Sequence, residues 1–245
     1  MTLGPVLVLG ALSDIGVEIA YKFASKGYNI QLAARRLNEL KFHSDSIKKK
    51  YDVDVKCFEF DALKTETHLE FIKNLDLLPE ILICSVGVLI DQKSSQKILN
   101  ERLKIIRTNF EGPMNILSEF ANFFEKRGSG TIVGISSVAG ERGRASNYIY
   151  GSAKAGFTTF LSGLRNRLSK KNIHVVTVLP GTVYTKMTKN LNLPKILTTI
   201  PSKVSEDIYL AVKKKRNIIY TIKIWAIIML LIKVIPEQIF KKLNI

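Results

Sequence analysis

Residues 5–36 read PVLVLGALSDIGVEIAYKFASKGYNIQLAARR. The run 5–10 is short, apolar and closed by glycine, after which Ile15, Ile19, Ala20 and Phe23 recur at helical spacing up to Gly27. Residues 28–34 are apolar again and end in two arginines. This is strand, turn, helix, strand, and the alternation continues. A charged helix is expected over 38–51 with Leu37, Leu40 and Ile47 turned inward, a strand over 53–60, a short helix over 66–75 and a buried strand over 81–86. A long helix over about 96–126 carries Asn109 in its middle. A fifth strand over 131–136, a helix over about 147–170 and a sixth strand over 173–179 follow. Beyond an irregular stretch at 182–201, read as a mobile flap, come a helix over 201–215 and an edge strand over 217–221. Alternating units of this kind predict an α/β domain with a parallel sheet and helices on both faces.

With 245 residues and 46% hydrophobic content the chain can bury one large core, taken as residues 1–221, with 222–245 as a tail of different composition. Cys57 and Cys84 both lie in apolar runs, which predicts free thiols and a reducing compartment. The first apolar run is short, lacks a basic leader and enters a glycine turn, so it does not read as a signal peptide. Lys and Arg outnumber Asp and Glu by 37 to 21, a net charge of +16. The basic residues are not interleaved with aromatics, which argues against nucleic acid and leaves a solvated surface, an anionic membrane or a phosphorylated substrate. In the tail, Ile224 to Ile232 are nine uninterrupted apolar residues between Lys223 and Lys233. At ~1.5 Å per residue such a helix is too short for a ~30 Å hydrocarbon core. It suits the membrane interface, with Trp225 near the headgroups, or packing against the domain or a second subunit.

Chemistry gathers at the strand ends. The turn from Gly10 through Leu12, Ser13 and Ile15 to Gly16 lets backbone approach a pyrophosphate at a helix N-terminus. Asp14 is out of place beside a phosphate and is expected to cap the helix and point away. After strand two, Arg35 and Arg36 stand where an acid would bind a free 2′-hydroxyl. That favours NADP(H) over NAD(H), unless the arginines only open a surface helix. Asp61 ends strand three, where it can meet adenine or cap the next helix, and Gly87 ends strand four where backbone passes the ribose. Ser137 stands thirteen residues before Tyr150, and Lys154 four after it. Residues four apart share a helix face, and an ammonium there would favour the phenolate. Ser137 would reach the same substrate oxygen, a constellation for reducing carbonyls or oxidising alcohols. Tyr148 is excluded as proton donor, since Ser152 and not a lysine follows four residues on. No metal is expected.

The order of glycine turn, Asp61, Gly87, Asn109, Ser137, Tyr150, Lys154 and Pro180-Gly181 resembles the short-chain dehydrogenase/reductase family over about residues 5–220. Asp14, and Cys84-Ser85 where the family usually has two asparagines, depart from it. The resemblance implies a single Rossmann-type, doubly wound, seven-stranded parallel sheet. It implies Tyr150 as proton donor, Ser137 holding the carbonyl oxygen, and Lys154 on the nicotinamide ribose. Asn109 would hold a water leading to Lys154, and Pro180, Gly181, Val183 and Thr185 would meet the carboxamide. A homodimer or homotetramer would pair through the long helices. The run from Ser136 to Phe157, the CSVGVL turn and the tail are also similar to the reductases of polyprenylphosphoryl keto-pentoses in cell-wall synthesis. This narrower likeness implies a lipid-linked keto-sugar, with Arg142 and Arg144 near its phosphate, at the inner face of the cytoplasmic membrane. A soluble reductase of 3-oxoacyl thioesters or small ketones, and a dinucleotide-binding protein without turnover, are the alternatives.

Overall fold

The computed structural model describes residues 3–189 and 194–243, so positions 190–193 of the expected flap lie outside the described residues. Strands β1 (Leu3–Leu9), β2 (Tyr28–Ala34), β3 (Val55–Glu59), β4 (Ile81–Cys84), β5 (Gly130–Ile135), β6 (Ile173–Leu179) and β9 (Ile218–Tyr220) form one sheet; β7 (Thr182–Val183) and β8 (Thr198–Thr199) pair separately. The helices are α1 (Asp14–Ala24), α2 (Leu37–Lys50), α3 (His68–Lys73), α4 (Gln92–Ser95), α5 (Leu99–Ile106), α6 (Gly112–Arg127), α7 (Tyr148–Leu168), α8 (Pro201–Lys213), α9 (Ile224–Val234) and α10 (Glu237–Phe240). All seven strands of the sheet run parallel in the order β3-β2-β1-β4-β5-β6-β9. The order reverses between β1 and β4, which opens a crevice at the carboxyl ends of those strands.

Alternation along each strand divides the core. Val6, Val8, Ile83 and Val133 face Ile19, Phe23, Leu40 and Ile208 of α1, α2 and α8. Leu7, Leu9, Leu82 and Ile132 face Phe120 and Phe124 of α6 and Phe157 and Leu161 of α7. Neighbouring residues therefore serve opposite layers, as a two-sided parallel sheet requires. Each fully buried Leu or Phe contributes about 1.5–3 kcal/mol by leaving water, so stability is spread over both layers.

Two expectations are corrected. The long helix is not regular: α5 passes through a π turn, Arg107–Glu111, into α6. In an α-helix the carbonyl of Asn109 would accept from the N–H of residue 113, and Pro113 has none. The i→i+5 turn is the local solution, and it falls at Asn109. The flap carries the β7–β8 pair, because Val183 and Thr199 are drawn inward and their backbone groups need partners. The tail takes one of the placements expected for it, packing on the domain: Trp225 and Met229 of α9 pack on Val138 and Leu179. The boundary at 221/222 marks a change of composition. Among the described residues no helix is long and apolar enough to cross a membrane.

Candidate active site

At the crevice, Gly10 has φ +76°, and a Cβ there would lie 2.8 Å from the Ser85 carbonyl oxygen. A Cβ on Gly16 would lie 2.6 Å from the carbonyl oxygen of Gly10. Both glycines are thus required for the turn to close. Ser13 is the helix cap: its Oγ accepts from the Gly16 N–H at 3.0 Å, donates to the Gly10 carbonyl at 2.8 Å and lies 2.8 Å from Ser85 Oγ. Ser85 therefore ties the end of β4 to this turn where the expected asparagine is missing. Asp14 does not cap α1. Its carboxylate accepts the backbone N–H of Lys186 at 2.6 Å and so fastens the flap to the glycine turn.

Two adjoining clefts meet over this turn. The first, of ≈ 300 Å³, is lined by Gly10, Leu12, Ser13, Arg35, Asp61 and Gly87. Arg35 and Arg36 both line the cleft; Arg36 is also paired to Glu39 on the first turn of α2, which leaves Arg35 the arginine without that partner. Asp61 accepts the Leu63 N–H at 3.0 Å, a turn bond that leaves it at the cleft wall. Lys104 and Thr108 line the same cleft from across the crevice and had no local sequence signal. Glycine-lined backbone at a helix N-terminus, with arginines at the far end, fits an adenine dinucleotide.

The second cleft, of ≈ 500 Å³, brings together Ile15, Asn109, Ser137, Tyr150 and Lys154. Its wall continues through Pro180, Gly181, Val183 and Thr185. Gly16 lies behind the turn and lines neither cleft. Lys154 is 3% exposed, and its Nζ donates to the Ile135 carbonyl at 3.1 Å. Ser137 Oγ accepts the Ala139 N–H at 3.1 Å, which leaves its O–H to donate. Asn109 is fully buried; its amide donates to the Val88 and Ile105 carbonyls and accepts the Val88 N–H. The side chain is thus committed to backbone. A Cβ on Gly87 would lie 3.0 Å from Asn109 Oδ1 and 3.6 Å from Lys154 Nζ, so glycine there keeps the passage between them open. On the flap, Thr188 Oγ1 donates to the Val183 carbonyl at 2.6 Å and accepts the Thr185 N–H at 3.1 Å.

Electrostatics differ from the simple expectation. Burial pushes the Tyr150 phenol up to about 12, with a Ser137 hydrogen bond pulling the other way. Burial also lowers the Lys154 ammonium to about 8. The Lys154 Nζ is 5.8 Å from the Tyr150 ring centre, and burial is the larger influence on the phenol.

The two arginines part company. Arg144 lines the second cleft, and its Nε is buried with no hydrogen-bond partner among the described residues. Arg142, expected beside the substrate, is engaged elsewhere. Its Nη1 donates to the carbonyls of Ile232, Lys233 and Ile235 at 2.6, 3.1 and 2.7 Å, its Nη2 to Glu237 at 3.0 Å. The guanidinium stacks 3.8 Å from the Phe240 ring centre, so it caps α9, whose last carbonyls lack partners of their own. Trp225 of α9 enters the second cleft with its Nε1 on the Leu197 carbonyl at 3.1 Å. One placement expected from the sequence puts Trp225 near membrane headgroups; it is buried instead, because its partners Val138, Leu179 and Leu197, far away along the chain, cover it.

Residues 5–195 match the short chain dehydrogenase family. An uncharacterized oxidoreductase of Mycobacterium tuberculosis is 28% identical over 98% of this chain and 96% of its own. The 3-oxoacyl-acyl-carrier-protein reductase FabG of Chlamydia trachomatis is 30% identical over 76% of each chain. Among solved structures, a short-chain dehydrogenase from Sphingobium yanoikuyae in complex with NADPH superposes with a TM-score of 0.81, at 22% identity, over 96% of this chain and 97% of its own. The chain therefore belongs to the short chain dehydrogenase family, NAD(P)-binding oxidoreductases built on this sheet.

Proposed function

We propose that the protein is an NADPH-dependent reductase of a ketone to an alcohol, acting on an anionic keto-sugar such as one carried on a polyprenyl phosphate. The observation that carries the reaction is the meeting of Ser137, Tyr150 and Lys154 in one cleft that continues the glycine-lined one. Arg35 in the first cleft supports NADPH. When bound, that cofactor supplies a hydride to the carbonyl carbon. Ser137 turns its O–H from Tyr150 to the carbonyl oxygen, and Tyr150, fully protonated at neutral pH, gives that oxygen its proton. Lys154 holds the nicotinamide ribose and offsets the charge left on the phenolate. Proton resupply runs through water at the π turn, where the Asn109 carbonyl lacks its usual helical donor; the amide only fixes that turn.

Arg144 supports the anionic substrate, since a buried guanidinium nitrogen without a partner is costly until a phosphate or similar oxygen meets it. A dimer or tetramer through α5–α6 and α7 completes this reading. A 3-oxoacyl thioester is the second reading, favoured by the similarity to FabG and by the apolar residues lining the cleft. NADPH consumption with a polyprenyl-phosphate keto-sugar, the same keto-sugar without phosphate and a 3-oxoacyl thioester separates the two. Arg144→Ala should raise KM for the phosphorylated substrate by about tenfold or more and leave the unphosphorylated one nearly unchanged. Turnover of the thioester alone would replace the first reading with the second.

A further inference from the structure

The apolar helix α9 has two faces, and only one is used. Trp225 and Met229 are buried on the domain, while Ile227, Leu230, Leu231 and Val234 are 60–68% exposed on the other side. Their spacing places them on one stripe. Ile239 of α10 is also exposed. Ile196, 85% exposed, is the chain neighbour of Leu197, the residue that holds the Trp225 indole. Lys223, Lys241 and Lys242 are exposed around this region. A second copy would bring like charges together in a chain of net charge +16, whereas an anionic surface would meet them with opposite charge.

We propose that α9 and α10 dock the protein on an anionic lipid bilayer, with the bare stripe in the headgroup–acyl boundary and the lysines among the headgroups. The helix that meets the lipid is the one that supplies Trp225 to the wall of the second cleft, so docking brings that cleft to the lipid surface. This goes beyond the reductase reading and does not depend on it.

The test is co-sedimentation of the full-length protein with vesicles of phosphatidylcholine alone and of phosphatidylcholine mixed with phosphatidylglycerol. Binding is expected to the mixed vesicles, weakened by salt. Ile227→Gln with Leu231→Gln should reduce it by at least about tenfold, with turnover of a water-soluble ketone unchanged. Absence of binding to the mixed vesicles overturns the proposal, as does binding that the double substitution leaves intact. So does a concentration-dependent dimer, seen by sedimentation velocity, that the double substitution dissolves, since a second copy would then own the stripe.

Discussion

Tyr150 and Lys154 are separated in acidity by the burial they share, the phenol rising to about 12 and the ammonium falling to about 8. The acid therefore keeps its proton throughout the neutral range, and the cation is the partner that titrates first. Activity as a reductase is expected to be level below about pH 8 and to fall about tenfold per pH unit above it as Lys154 loses its charge. A pH profile level to pH 10 would show that the charge is not used. Stability moves the other way: between about pH 8 and the ordinary lysine value of 10.5 the unfolded chain binds the extra proton. The contribution of Lys154 to stability therefore rises with pH in that window. At the opposite cleft, Arg35→Asp should lower kcat/KM for NADPH by about 10–100-fold and shift preference to NADH. An unchanged cofactor ratio would remove Arg35 from phosphate recognition. The spacing of Ser137, Tyr150 and Lys154 was legible because a helix repeat and two adjacent elements enforce it. The bond from Asp14 to Lys186 was not, because its partners are 172 residues apart and only the flap's path joins them.

At the scale of elements, the flap and the π turn are where composition misled, and α9 is where it left two placements open. Apolar periodicity reports which face is buried but not where a proline displaces the ladder, so the helix around Asn109 read as regular. The tail read as a membrane or packing helix, and α9 proves to have a packed face and a bare one. Its attachment is specific. Arg142 caps its last turn, and Lys233 meets Glu141, which also accepts the Tyr220 hydroxyl at 2.9 Å. The segment between the serine and the tyrosine thus serves partly as an anchor for the helix that walls the cleft. Gly181 is the tightest point of this junction, since a Cβ there would overlap the Trp225 indole. Gly181→Ala is expected to destabilise the fold by about 1–3 kcal/mol through overpacking. It should also shift the emission of the only tryptophan as the indole is displaced. Unaltered emission and an unaltered urea midpoint would show that α9 is not held against the Pro180-Gly181 turn.

Across the whole molecule, the sheet was legible because each strand's two-residue period sets two core layers, and β–α alternation leaves few ways to connect them. The crevice between β1 and β4 then collects, at one edge, residues from Gly10 to Trp225 that are remote in sequence. In the proposed reading the glycine-lined half of that edge holds most of the nucleotide and the other half its nicotinamide end and the proton donor, so loss of the Tyr150 hydroxyl should cost turnover far more than binding. The most direct measurement is NADPH oxidation and NADPH affinity in the wild type and in Tyr150→Phe, side by side and with the same ketone. Turnover should fall by about 100- to 10,000-fold while NADPH binds within about twofold of the wild type. A variant that oxidises NADPH as fast as the wild type would contradict the assignment of Tyr150 as the proton donor.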